Sequence, residues 1–130
     1  MFSYGMNTNI LMMQARCPNS IYMGIATLPK YRLTFSSFAD VVYDESSEVV
    51  GVLWDITDDC LIELDCLEGF PYHYDRDIKE IKVDGKIMEA LCYYMTGSPP
   101  WMAPSTLYLN MVIDGYNQNG IPLSQLSNTI

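Results

Sequence analysis

Between residues 21 and 96 the sequence is written in β-rich runs broken by one segment that reads only as a helix, and that segment organises the rest. Thr57 offers an oxygen to cap it, Asp58 and Asp59 sit where the positive end of a helix dipole favours acids, and Gly69 followed by Pro71 supplies the stop. The spacing predicts a helix over 58–68. At about 100° per residue, Cys60, Leu61, Leu64 and Leu67 share an apolar stripe. Glu68 falls on the edge of that stripe, Asp65 lies further out, and Glu63 points away.

On the N-terminal side, the runs Ile21 to Leu28 and Tyr31 to Phe35, separated by Pro29-Lys30, precede Ala39 to Tyr43 and Val49 to Ile56. Asp44-Glu45-Ser46-Ser47 reads as the turn between the last two, and all four as consecutive antiparallel strands. On the C-terminal side, Tyr72 to Val83 and Lys86 to Thr96 form a hairpin about Asp84-Gly85, a dipeptide suited to a two-residue turn. Gly97-Ser98-Pro99-Pro100 then ends the sheet, and Pro104-Ser105 opens a helix whose apolar positions Leu107, Tyr108, Met111, Val112 and Tyr116 run to about Asn119-Gly120. At the start of the chain, Phe2-Ser3-Tyr4 is a short strand that stops at Gly5, and Met6-Asn7-Thr8-Asn9 can cap a helix over Ile10 to Ala15. A strand that runs through a polar loop into a helix start leaves backbone N–H groups unpaired, ready for a carboxylate. With 130 residues, no internal repeat and no linker, residues 1–130 are expected to form one domain.

A net charge of -9 argues against nucleic acid and anionic membrane surfaces. The cations Arg16, Lys30, Arg32, Arg76, Lys79, Lys82 and Lys86 are scattered and form no basic stripe. The N-terminus lacks a basic signal-peptide region, and Ile10 to Met13 is too short to span a bilayer, so a cytoplasmic protein is expected. Cys17, Cys60, Cys66 and Cys92 show no CxxC pair and are expected to be reduced, mostly buried thiols. His73 is the sole histidine, which removes a His-based metal cluster, and it reads as an ordinary strand residue. Neither a zinc site nor a redox motif is indicated.

A carboxylate leaning toward a core at the last position of a helix is disfavoured as an anion by desolvation and by the negative end of the dipole. Glu68 is therefore expected to have a raised pKa, the property a general acid/base needs near neutral pH. Pattern alone leaves a plainer alternative, favoured by composition, in which Glu68 frays into solvent before its glycine stop. Tyr4-Gly5-Met6-Asn7 has a plain reading too, a strand-ending glycine followed by a helix cap. Tyr72, Tyr74, Tyr93, Tyr94 and Tyr108 are by default core or sheet-face residues, although a hydroxyl facing a pocket would be a hydrogen-bond donor.

Taken together, Tyr4-Gly5-Met6-Asn7, Arg16-Cys17-Pro18, Gly24 to Phe35, Gly51-Val52-Leu53-Trp54, and Leu64-Asp65-Cys66-Leu67-Glu68-Gly69 with Tyr72-His73-Tyr74-Asp75-Arg76 resemble, in order and spacing, the pattern of the gamma-glutamylcyclotransferase-like family, including its AIG2-like members. Pro104-Ser105 through Tyr108-Leu109, Gly115, Gly120 and Pro122 resemble its C-terminal helix. The chain departs from the family at Met6, where the loop usually carries serine.

This resemblance implies an α+β fold, a small, mostly antiparallel β-barrel or curled sheet with flanking helices. It implies that Glu68 is the acid/base residue and Tyr4, Gly5, Met6 and Asn7 the substrate cradle, with Tyr74 or Tyr94 helping to shape the pocket. The implied reaction releases 5-oxoproline from a gamma-glutamyl amino acid or amine, with no metal or cofactor, in a monomer or homodimer. The alternative is a catalytically silent protein of the same fold that binds or sequesters a small metabolite.

Overall fold

A computed structural model describes residues Met1–Ile130. Five strands form a closed barrel: β1 (Phe2–Ser3), β2 (Ile21–Ser36), β3 (Phe38–Asp55), β4 (Tyr74–Val83) and β5 (Lys86–Met95), in the spatial order β1-β3-β2-β4-β5. Four helices flank it: α1 (Ile10–Arg16), α2 (Asp58–Glu68), α3 (Thr106–Asn119) and α4 (Ser124–Ser127). Met6–Thr8 makes a single 3₁₀ turn between β1 and α1. Neighbouring strands are antiparallel, except that β1 runs parallel to β5 at Phe2 and Cys92. The two residues of β1 thus join β3 to β5 and close the barrel.

The expected helix over 58–68 is present with those bounds. The Thr57 side chain accepts from Cys60 N–H, and Gly69, at φ +68°, turns the chain out of the helix in the left-handed conformation that glycine adopts without steric cost. The hairpin about Asp84-Gly85 is also present, with both residues at positive φ. In α3, Ser105 is the N-cap, and Tyr108, Val112, Gly115 and Tyr116 face inward. Leu107, expected on that stripe, is 69% exposed.

The four runs before α2 are arranged differently from the sequence reading. They form two long strands in one hairpin, in which Ile21 to Leu28 pairs with the stretch around Val49 to Asp55, and Tyr31 to Phe35 with Ala39 to Tyr43. The chain reverses at Ser37, φ +66°, and not at 44–47. Asp44, Glu45, Ser46 and Ser47 instead lie between the pairs Tyr31↔Tyr43 and Pro29↔Glu48, opposite Lys30 alone. The local turn chemistry is real, since Asp44 accepts from Ser46 N–H and from the Ser46 and Ser47 hydroxyls. It produces a bulge that bends the strand without reversing it.

Phe2, Leu28, Phe35, Val49, Val52, Trp54, Ile81 and Cys92 of the strands are buried in one apolar core with Met13, Leu64, Val112 and Tyr116 of the helices. The thiols depart from expectation. Cys17, just after α1, is disulfide-bonded to Cys60 in the first turn of α2, while Cys92 is buried and free and Cys66 exposed and free. The two joined residues stand 43 positions apart, a proximity set by the packing of α1 beside α2 and by no local spacing.

Candidate active site

Glu68 ends α2 half-buried and opens onto a cavity of about 330 Å³. The opening segment from Tyr4 to Asn7 forms one wall; Tyr74, Tyr93 and Tyr108 stand behind, and Phe38, Leu67 and His73 form the rim. Burial raises the Glu68 pKa, and the charge of Arg16 and a hydrogen bond from Asn7 only partly oppose that rise. Asn7 Nδ2 donates to Glu68 Oε1 at 3.4 Å, so the last residue of α2 and the first turn of the chain meet across 61 positions of sequence. The alternative in which Glu68 frays into bulk water does not describe this geometry.

Several bonds hold the opening turn rigid. Asn7 O accepts from Trp54 Nε1 at 2.9 Å, and Gly5 O accepts from Thr8 N–H and from the Thr8 hydroxyl. Asn9 accepts from Met12 N–H and caps α1. As at any helix start, the first N–H groups have no acceptor within the turn itself.

Tyr74 lines the cavity, whereas Tyr94, expected as its equal, does not. Strand alternation is the reason: Tyr93 and Tyr94 are successive residues of β5, so when Tyr93 faces the cavity its neighbour takes the other face of the strand, where it lies near Lys79. His73, expected within a strand, sits in the bend before β4, with its ring 6.2 Å from that of Phe38.

The residue that pattern reading left among default core tyrosines is Tyr108. Its neighbours have committed their hydroxyl protons: Tyr4 donates to Tyr93 O, Tyr74 to Ala39 O and Tyr93 to Asp65 Oδ1, at 2.6–2.8 Å. Tyr108 does the reverse, because its oxygen accepts from Ala39 N–H at 3.0 Å. Burial pushes its pKa up to about 12, eased by the N–H groups of Ala39 and Met6. It therefore keeps its proton and has that proton to donate into the cavity. The only sequence signal for this was the placement of Tyr108 on the inner stripe of α3.

Residues 1–109 match the family model described as gamma-glutamyl cyclotransferase, AIG2-like. The chain belongs to this family. A Methanocaldococcus jannaschii protein provisionally named a gamma-glutamylcyclotransferase is 35% identical over 79 residues, covering 58% of this chain and 66% of that relative, slightly under two thirds of its length. A solved structure titled gamma-glutamyl cyclotransferase superposes with a TM-score of 0.85 at 25% identity, over 97% of this chain and 83% of the other. An uncharacterized protein from Homo sapiens gives a TM-score of 0.82 with the same identity and coverage. The closed barrel with outer helices is thus the cyclotransferase fold, and the cavity lies against the opening segment of the chain.

Proposed function

We propose that this chain releases 5-oxoproline from a gamma-glutamyl amino acid or gamma-glutamyl amine, with Glu68 as general acid/base. The observation that carries the reading is that a dehydrated carboxylate and the Gly5–Asn7 turn share one cavity, joined by the bond from Asn7 Nδ2 to Glu68 Oε1.

The substrate carries its own nucleophile. Its α-nitrogen forms a bond to the γ-carbonyl carbon, the carbonyl oxygen takes up negative charge, and collapse of that intermediate breaks the bond to the departing nitrogen. Two protons leave the α-nitrogen in closing the lactam, and both end on the departing amine. Glu68 passes them in turn, which requires a pKa near that of the working solution. Folding the glutamyl chain back on itself inside the cavity supplies the remaining advantage, roughly 7–11 kcal/mol in a well-oriented intramolecular reaction.

In this scheme the N–H groups of Gly5, Met6 and Asn7 hold the α-carboxylate, and the Tyr108 hydroxyl donates to the γ-carbonyl oxygen as its charge develops. Tyr4 and Tyr74 shape the wall, and the departing amine leaves past Phe38, Leu67 and His73.

The test is Glu68→Gln assayed against a panel of gamma-glutamyl amino acids and amines. Wild type is expected to form 5-oxoproline from at least one of them, and the variant to lose about 10²-fold or more of that rate with an unchanged melting temperature. Normal turnover by Glu68→Gln would remove the assignment. A wild-type chain that binds these compounds and returns them intact would instead make it a binding protein.

A further inference from the structure

Arg16 is the one Lys or Arg side chain around the cavity, and none of the chemistry above uses it. It ends α1, half-buried, with its guanidinium turned to the opening loop: Nη1 donates to Asn7 Oδ1, and Nη2 lies 3.0 Å from Met6 Sδ. A guanidinium can only donate, so this bond settles which way the Asn7 amide faces. Oδ1 points to Arg16, and Nδ2 points to Glu68 Oε1 at 3.4 Å. A flipped amide would set donors against donors at Arg16 and acceptor against acceptor at Glu68.

We propose that Arg16 is a positioning residue, acting through Asn7 to hold the Glu68 carboxylate with Oε1 engaged and Oε2 free for proton exchange with substrate. The inference rests on the cyclotransferase reading of the site for its catalytic consequence, though not for its geometry. Both terminal nitrogens of Arg16 face loop atoms, so the guanidinium helps to shape the turn. Met6, the departure from the family's usual serine, belongs to the same arrangement, since its thioether sulfur, a weak acceptor, lies against Nη2.

The other ionisable groups around the cavity are the phenols of Tyr4, Tyr74, Tyr93 and Tyr108, all raised in pKa by burial, the His73 ring at the rim, and the Met1 α-ammonium, lowered in pKa by burial and donating to Trp54 O. On α2 itself, Asp65 is turned away to a bidentate pair with Arg76. Arg16 is thus the permanent charge set against the carboxylate.

Arg16→Met removes every donor, and Arg16→Lys keeps the charge but loses the fork. Each is read by carbon-13 NMR titration of the Glu68 carboxyl, assigned with Glu68→Gln, and by the pH dependence of 5-oxoproline release. In Arg16→Met the Glu68 midpoint is expected to rise by on the order of half a pH unit or more. The acid limb of kcat/KM should move up with it, because Glu68 must be ionised to accept a proton and is now harder to ionise. In the same variant kcat should fall about tenfold or more while KM stays within about threefold. Arg16→Lys should restore the midpoint without restoring kcat.

An unmoved Glu68 midpoint in folded Arg16→Met overturns the proposal. So does a raised KM with kcat intact, which would make Arg16 a substrate ligand. If Arg16→Met does not fold, Arg16→Lys decides, since full kcat in that variant would show that the fork is unnecessary. If wild type cyclises no gamma-glutamyl compound, the functional reading fails, and the NMR titration, which needs no substrate, still tests the relay.

Discussion

At the scale of single residues, the proposed reaction separates the site into groups that would move protons and groups that would set where they move. Tyr108 shows the distinction. In Tyr108→Phe the cavity loses its uncommitted hydroxyl donor, and if that hydroxyl meets the developing oxyanion, kcat should fall about a hundredfold. The acid limb of the pH profile should stay in place, because Glu68 keeps Arg16 and Asn7. The same change leaves the Ala39 N–H without its acceptor, so a melting experiment should also register roughly 1–3 kcal/mol of lost stability. The position of Glu68 at the edge of the apolar stripe could be read because Thr57 and Gly69 fix both ends of its helix, whereas its proposed role came only from the family resemblance. The role of Tyr108 could not be read, because it depends on Ala39, 69 residues away, whose N–H consumes the acceptor side of the hydroxyl.

At the scale of elements, α3 is held to the opening turn by one close approach. A Cβ added at Gly115 would run into Thr8 Oγ1 and come within 2.7 Å of Asn9 N, backbone that cannot swing aside. Gly115→Ala gains about 1 kcal/mol in helix propensity and loses roughly 1–3 kcal/mol to overpacking. A lower melting temperature is therefore expected, together with a lower kcat as α3 carries Tyr108 away from the cavity. A variant as stable and as active as wild type would show that the turn does not depend on this contact. Element boundaries tell the same story about legibility. Helices with side-chain caps, α1, α2 and α3, could be read locally. The long hairpin of β2 and β3 could not, because Asp44 to Ser47 carry the chemistry of a turn while the ladder on either side keeps the strand running, and only the partner strand decides between the two.

At the scale of the whole molecule, the disulfide from Cys17 to Cys60 fastens α1, which carries Arg16, to α2, which carries Glu68. Cross-linking residues 43 apart restricts the unfolded chain, and in the loop-entropy view a bridge of this span stabilises by roughly 2–4 kcal/mol. Thermal melts with and without a thiol reductant should differ accordingly, and Cys17→Ser should melt as the reduced protein does. Equal melts would mean that the bond adds nothing to packing already present. The barrel shape itself could be inferred from the family pattern, but its closure could not, since it depends on Phe2 and Ser3 finding two distant strands at once. Those two residues lead directly into the loop that walls the cavity. A chain whose first segment has peeled from the sheet loses the pocket while most of its architecture survives, so competence for chemistry reports on whether the last seam has been sewn.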